Sequence, residues 1–189
     1  MLAAMQTMAA DDARQMLLAT NTCVGCNLAS ADLAGLNLMG ANLAGANLAA
    51  ANLERVTLTG ADLTKANLNG AHLKNANISG ASLVQARLTG CDMRDALASR
   101  TNFNLADLSN SNLAGAKMDY SNLEGANLTG TILDRADLYE ARFMFSELVG
   151  ASLKGADLNS ANLSEANLER VESDATTTCP NREPGPCKW

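Results

Sequence analysis

The sequence predicts an all-β solenoid, a chain that bends once every five residues and each time the same way. Three observations predict it. A large apolar residue recurs at every fifth position from Leu28 to Leu168, a small residue stands two places before it, and glycine often stands two places after it. The large residue holds its phase through twenty-nine consecutive quintets, with Ile78, Met93, Phe103 and Met118 among the substitutes. Only Ala98 lacks a large group there.

Each element of the quintet has a physical reason. A step of five residues turns an α-helix by about 140°, so helical leucines would spiral over every face. Asn and Gly every few residues would also cost a helix roughly 0.5–1 kcal/mol each. A flat strand has a period of two, so leucines five apart would alternate between its faces. A bend in every quintet keeps both the small and the large residue inside, and Gly with Asn or Asp tolerates the dihedrals of the bend. The small position holds Ala41, Ala46, Ala51 and their like, with Cys26, Cys91, Thr101, Ser111, Ser121, Thr131 and Ser146 as substitutes and Leu36 and Val56 as bulkier exceptions. Between small and large stands mostly Asn or Asp, as at Asn42, Asn47, Asp62, Asn67, Asp107 and Asp137. At Asp95-Ala96-Leu97-Ala98 the pattern thins, and a rearrangement that turns Leu97 inward is expected.

The quintets Ala41-Asn42-Leu43-Ala44-Gly45 and Ala126-Asn127-Leu128-Thr129-Gly130 resemble the pentapeptide-repeat family, and the resemblance covers about residues 26 to 170. It implies a right-handed quadrilateral β-helix with four quintets per turn and parallel ladders between turns. Twenty-nine quintets then make about seven coils, roughly 35 Å tall at the usual inter-strand spacing of about 4.8 Å.

Both ends of such a coil expose unpaired backbone groups and need covering. The expected division is an N-terminal segment 1–25 with a capping helix, an array 26–170, and a C-terminal tail or cap 171–189. Asp11 to Ala19 reads as the helix, with Ala13, Met16 and Leu17 on one face. Cys26 falls at the small inward position of the first quintet, so a Cys23–Cys26 disulfide would pin the helix to the stack. The pattern fails at Ser173, and the tail beyond holds all three prolines, with Cys179, Cys187 and Trp189. A Cys179–Cys187 loop closed over the last coil, with Trp189 packed on it, is expected. Helix, Cys-x-x-Cys and array together resemble secreted and thylakoid-lumenal members of the family.

Two close cysteine pairs at the two ends and a lone Cys91 read as two local disulfides and one buried thiol. That places the protein in the periplasm, the thylakoid lumen or outside the cell; reduced pairs would leave the cytoplasm open. Met1 to Ala10 carries no basic residue, so it does not read as an intact signal peptide. No run approaches the roughly 20 apolar residues that span a bilayer. A net charge of −6 argues against general nucleic-acid or anionic-membrane binding. Aromatics supply only 3% of the chain, so the core is aliphatic, as suits a thin stack.

A redox Cys-x-x-Cys needs its first cysteine at a helix N-terminus, whereas Cys23 follows a helix. One zinc cannot hold both pairs if they sit at opposite ends. His72 replaces Asn at an outward position with no nucleophile near it, and Asp32, Asp62, Asp92, Asp107, Asp137 and Asp157 scatter over different faces. No catalytic, metal or cofactor set is expected, and the chain reads as a non-enzyme.

Residues 20 apart should lie above one another, so Arg100, Tyr120 and Glu140 form one column, with Tyr139 beside it. Leu105 and Phe145 form another across Gly125, with Met144 adjoining. Leu105, Tyr120, Tyr139, Met144 and Phe145 are the candidate partner patch; a local irregularity in the array is the competing reading. The expected role is a monomeric, non-catalytic structural or interaction module for a protein partner. The alternative, implied by the resemblance, is a DNA-mimicking modulator of a type II topoisomerase such as DNA gyrase. Against it, residues 26–170 hold 11 Lys/Arg and 15 Asp/Glu with no clear acidic stripe.

Overall fold

The computed structural model describes residues 10–189. The stretch read for a signal peptide lies outside the described residues, apart from Ala10 at the start of a helix. From Thr22↔Asn42 to Ser152↔Glu172, the middle residue of each quintet forms a parallel bridge with the residue 20 further on. Twenty residues are four quintets, so each turn has four faces and residue n lies beneath residue n + 20.

Four of the five amides in a quintet are bonded through the backbone. In the quintet that begins at Ala41, the Leu43 amide donates to Asp62 O one turn on, at 2.7 Å, and the Gly45 amide to Thr64 O at 2.8 Å. The Asn42 amide donates to Asn21 O one turn back, at 3.0 Å, and the following Ala46 amide closes the corner on Leu43 O at 3.0 Å. That leaves the Ala44 amide, and Asn42 Oδ1 accepts from it at 3.2 Å. Asn or Asp recurs in the middle of the quintet because it meets the one donor the ladders miss. The corner residue then turns into the left-handed region, at φ 65° in Gly45.

The two inward positions build the core. The leucines at the large inward position, from Leu28 to Leu158, are at most 2% exposed. Where Thr, Ser or Cys replaces the small Ala, the group donates to a carbonyl of the turn below: Thr101 Oγ1 to Ile78 O at 2.8 Å, Thr131 Oγ1 to Leu108 O at 2.9 Å, Cys91 Sγ to Leu68 O at 2.9 Å. Three depart from this: Cys26 is disulfide-bonded, Ser146 Oγ donates within its own turn to Phe143 O at 2.7 Å, and Ser121 Oγ is buried with no partner among the described residues. Ser121→Ala is therefore expected to leave stability unchanged or raise it by about 1 kcal/mol, whereas Ser111→Ala, which loses the bond from its hydroxyl to Leu88 O at 2.5 Å, is expected to cost about 1 kcal/mol. Paired urea melts check the contrast, and equal losses in both would refute it.

Leu97 does not turn inward. Its amide donates to Ala76 O at 2.8 Å and its carbonyl accepts from Ile78 at 2.7 Å, so inversion would break the ladder. It stays outward and 38% exposed, while Ala98 is fully buried. Around Ala98 the inward positions hold Ile78 one turn below, Met118 one turn above, and Met93 and Phe103 in the flanking quintets, all buried.

At the N-terminus, α1 spans Ala10–Thr20, with Asp11 and Asp12 in its first turn, where carboxylates favour the helix dipole. Ala13 and Leu17 are fully buried and Met16 packs against the core. Asn21, at φ 54°, ends the helix and donates to Leu17 O at 2.8 Å. The ladder begins one quintet before residue 26, for Cys23 takes a large inward position and its amide donates to Asn42 O at 2.7 Å. Cys23 and Cys26 are disulfide-bonded.

At the other end the ladder outruns residue 170 by taking in one extra residue. Ser152 bridges Glu172, but Asp157 bridges Thr178, 21 positions on. Thr177 and Cys179 are thereby restored to the inward positions, 1% and 6% exposed. Asp174 Oδ1 holds the insertion by accepting from the Thr176 amide and hydroxyl, at 2.9 and 2.6 Å. The chain then reverses, Pro184 pairs antiparallel with Thr178, and Cys179 is bonded to Cys187.

Candidate interaction surface

The Asp series is occupied by the turns. Asp62, Asp107, Asp137 and Asp157 accept from the amides of Thr64, Ser109, Tyr139 and Asn159, at 2.9 to 3.2 Å. Burial pushes Asp107 up, but hydrogen bonds from Ser109 and Thr89 outweigh it and hold the carboxyl below its usual range. His72 is exposed in the column Asn52–His72–Asp92, and Asp92 is paired with Arg94 at 2.6 Å. Among the described residues no group of three or more His, Cys, Asp or Glu could hold a metal ion, and no helix is long and apolar enough to cross a membrane.

The five patch residues gather on two neighbouring corners. On the first, the Arg100 guanidinium sits 5.2 Å from the centre of the Tyr120 ring. Tyr120 meets Tyr139 edge to face, centroids 5.5 Å apart at 77°. Such contacts are each worth about 0.5–1 kcal/mol. Glu140 raises the Tyr139 pKa by hydrogen bonding and by its charge. On the second corner Leu105 folds over Gly125, so that a Cβ on Gly125 would meet Leu105 Cδ2 at 2.7 Å, and Phe145 stands one turn above, with Met144 half-buried beside it. Between the two ridges runs a polar face with the Arg142–Glu124 ion pair at 3.0 Å. The arrangement is thus an aromatic ridge bracketed by Arg100 and Glu140 and an apolar ridge, the two flanking a polar floor.

Backbone conformation adds what residue spacing alone did not show. Leu105, Tyr120 and Phe145 have φ of 56°, 57° and 59° and are 53%, 43% and 57% exposed. Among the described residues every other left-handed corner carries glycine, alanine, or a polar or charged residue. A second feature escaped the sequence reading: a cavity of about 610 Å³ at the C-terminal end, lined by Leu163, Leu168, Pro184, Pro186 and Trp189 among others. The one-residue slip after Glu172 was the signal that could have found it.

The sequence profile of pentapeptide repeats matches residues 23–60, 58–95, 91–119, 106–144 and 136–172, in eight copies. The chain belongs to the pentapeptide-repeat family. Known pentapeptide-repeat structures form right-handed quadrilateral β-helices, and the 20-residue ladder is the same construction. Among solved structures, full-length QnrB1, a plasmid-mediated fluoroquinolone resistance protein, is 17% identical, with 81% of this chain and 91% of that chain covered at a TM-score of 0.64. HetL, a pentapeptide repeat protein involved in heterocyst differentiation regulation in the cyanobacterium Nostoc sp. strain PCC 7120, is 24% identical, with 94% and 99% covered and a TM-score of 0.37. A pentapeptide repeat protein of the Arabidopsis thaliana thylakoid lumen is 20% identical, with 70% and 71% covered and a TM-score of 0.44. Among curated proteins none matches.

Proposed function

We propose that this pentapeptide-repeat chain is a non-catalytic interaction module of an oxidising compartment, a rod of about seven coils capped by α1, that presents its two ridges to a protein partner. One observation carries the reading. Three bulky apolar side chains occupy left-handed corners, each at a cost of about 1 kcal/mol or more, and all three project into solvent. The Tyr120 contacts roughly offset its corner cost, and the exposed surface of all three is left free for a use outside the molecule. Two disulfides in a chain this small support the oxidising compartment.

The test is site-directed photocrosslinking in the native compartment, with a benzophenone side chain at position 120 or 145 and, as control, at Lys65. Lys65 lies in the Phe145 column four turns below, roughly 19 Å away at the usual spacing. The expected result is one discrete adduct from 120 and 145, absent from 65. Equal labelling from all three positions would remove the ridges from consideration. Leu105→Gly and Phe145→Gly should hold or raise the melting temperature, because they relieve the corner backbone, while abolishing the adduct from position 120.

The second reading, a DNA-mimicking modulator of DNA gyrase, is supported by the likeness to QnrB1, which at 17% identity speaks for the fold alone. The surface interleaves both charges, as in Arg94–Asp92, Arg142–Glu124 and Lys154 with Glu172. Inhibition of supercoiling, or protection of gyrase from a quinolone, would put this reading first.

A further inference from the structure

The solenoid leaves part of its C-terminal end uncovered. Over one face of the last turn the chain provides its own roof: the Leu158 amide donates to Thr178 O at 2.9 Å and the Ser160 amide to Pro180 O at 3.1 Å. The chain then reverses, and the next two faces receive no strand from the described residues. One turn below, the amides of Phe143, Phe145, Leu148 and Gly150 donate to Asn162 O, Ser164 O, Asn167 O and Glu169 O, at 2.8 to 3.2 Å. Their counterparts on the last turn, the amides of Leu163, Glu165, Leu168 and Arg170, have no acceptor among the described residues. The carbonyls of Ala161 and Ala166 likewise have no donor there, although Ala141 O and Ser146 O beneath them accept from Asn162 and Asn167 at 2.9 Å. Leu163 and Leu168 are only partly buried, unlike the leucines below, and they floor the cavity of about 610 Å³ under Trp189.

We propose that this end is a strand-addition site, where an extended peptide from a protein partner lies along residues 161–170 and supplies the missing part of the next turn. The unpaired groups dictate its chemistry. Its carbonyls accept from the four amides, and its own amides donate to Ala161 O and Ala166 O, so it runs parallel to the last turn. Inward, it needs a small residue followed two places later by an aliphatic one over Leu163, then the same pair five residues on over Leu168. The rim charges nearly cancel, Glu165, Glu169 and Glu183 against Arg170 and Lys188, so the peptide is selected by shape and hydrogen bonding and carries no required charge. The cavity volume lies within the roughly 300–1,000 Å³ of ordinary binding sites. Pro184, Pro186, Cys187, Lys188 and Trp189 line the same cavity, so a bound strand would lie against them.

Trp189 is the only tryptophan, so its emission reports occupancy directly. The probe is the synthetic ten-residue peptide Ala-Asn-Leu-Thr-Gly-Ala-Asn-Leu-Thr-Gly with blocked ends, titrated into the full, unreduced chain. The expected result is a saturable emission shift, at least tenfold weaker for a scrambled peptide and for one N-methylated at both Asn amides, which removes the donors to Ala161 and Ala166. Leu168→Glu should abolish the shift. The methylated peptide decides the matter without altering the protein, so a variant that misfolds leaves the test intact. No saturable shift up to millimolar peptide, or equal affinity for the scrambled or methylated peptide, would overturn the proposal. So would self-association in sedimentation that Leu168→Glu removes, since the occupant would then be a second copy. Neither outcome touches the ridges, which lie on the sides of the rod.

Discussion

In the folded, unreduced protein Cys91 is expected to react with iodoacetamide at least a thousandfold more slowly than in the denatured chain. The thiol is 2% exposed and donates to Leu68 O at 2.9 Å, and burial pushes its pKa up to about 12. At pH 8 a thiol of pKa 12 is about 10⁻⁴ thiolate, against roughly a quarter for an unperturbed cysteine. The nucleophile is therefore scarce before access is considered. Intact mass should show no adduct on the native chain, one after denaturation without reductant, and five after reduction. On protein taken from its native compartment, five free thiols without reductant would move it to the cytoplasm, turn both cysteine pairs into ordinary packing, and revive gyrase as a partner.

Leu128→Ala is expected to cost about 2–5 kcal/mol, and Leu168→Ala less than half of that. Leu128 is fully buried between complete turns, so truncation leaves a cavity that the ladders above and below prevent from collapsing. Leu168 is partly buried under an uncovered end and loses less apolar contact with water excluded. Urea melts of both variants measure the difference. Equal losses would mean that the C-terminal end is as well packed as the middle, and the strand-addition site would lose its socket.

Much of the fold was legible because the quintet is a local rule. The small and large inward residues, the Asn or Asp between them and the left-handed corner each answer a demand met within five residues or by the turn 20 residues away. The columns Arg100–Tyr120 and Leu105–Gly125 were legible for the same reason, since a fixed period converts sequence distance into height. Leu97 shows the limit of reasoning from side chains alone: an apolar residue in a polar position looked misplaced, but its two ladder bonds outweigh the gain from burying it. The slip at Ser173 was misjudged in the opposite direction. The periodicity ends there, yet the insertion held by Asp174 returns Thr177 and Cys179 to the inward positions, a backbone solution with no periodic signature.

The sequence by itself determined a five-residue solenoid and its inward residues, because each depends on contacts at fixed spacing. Only the tertiary structure decided which exposed apolar residues sit on strained corners, how the candidate patch divides into two ridges, and which amides of the last turn lack acceptors. Those properties depend on dihedral angles and on where the chain stops following its own ladder. Neither is encoded by residue type at one position; both emerge from the hydrogen bonds of neighbouring turns.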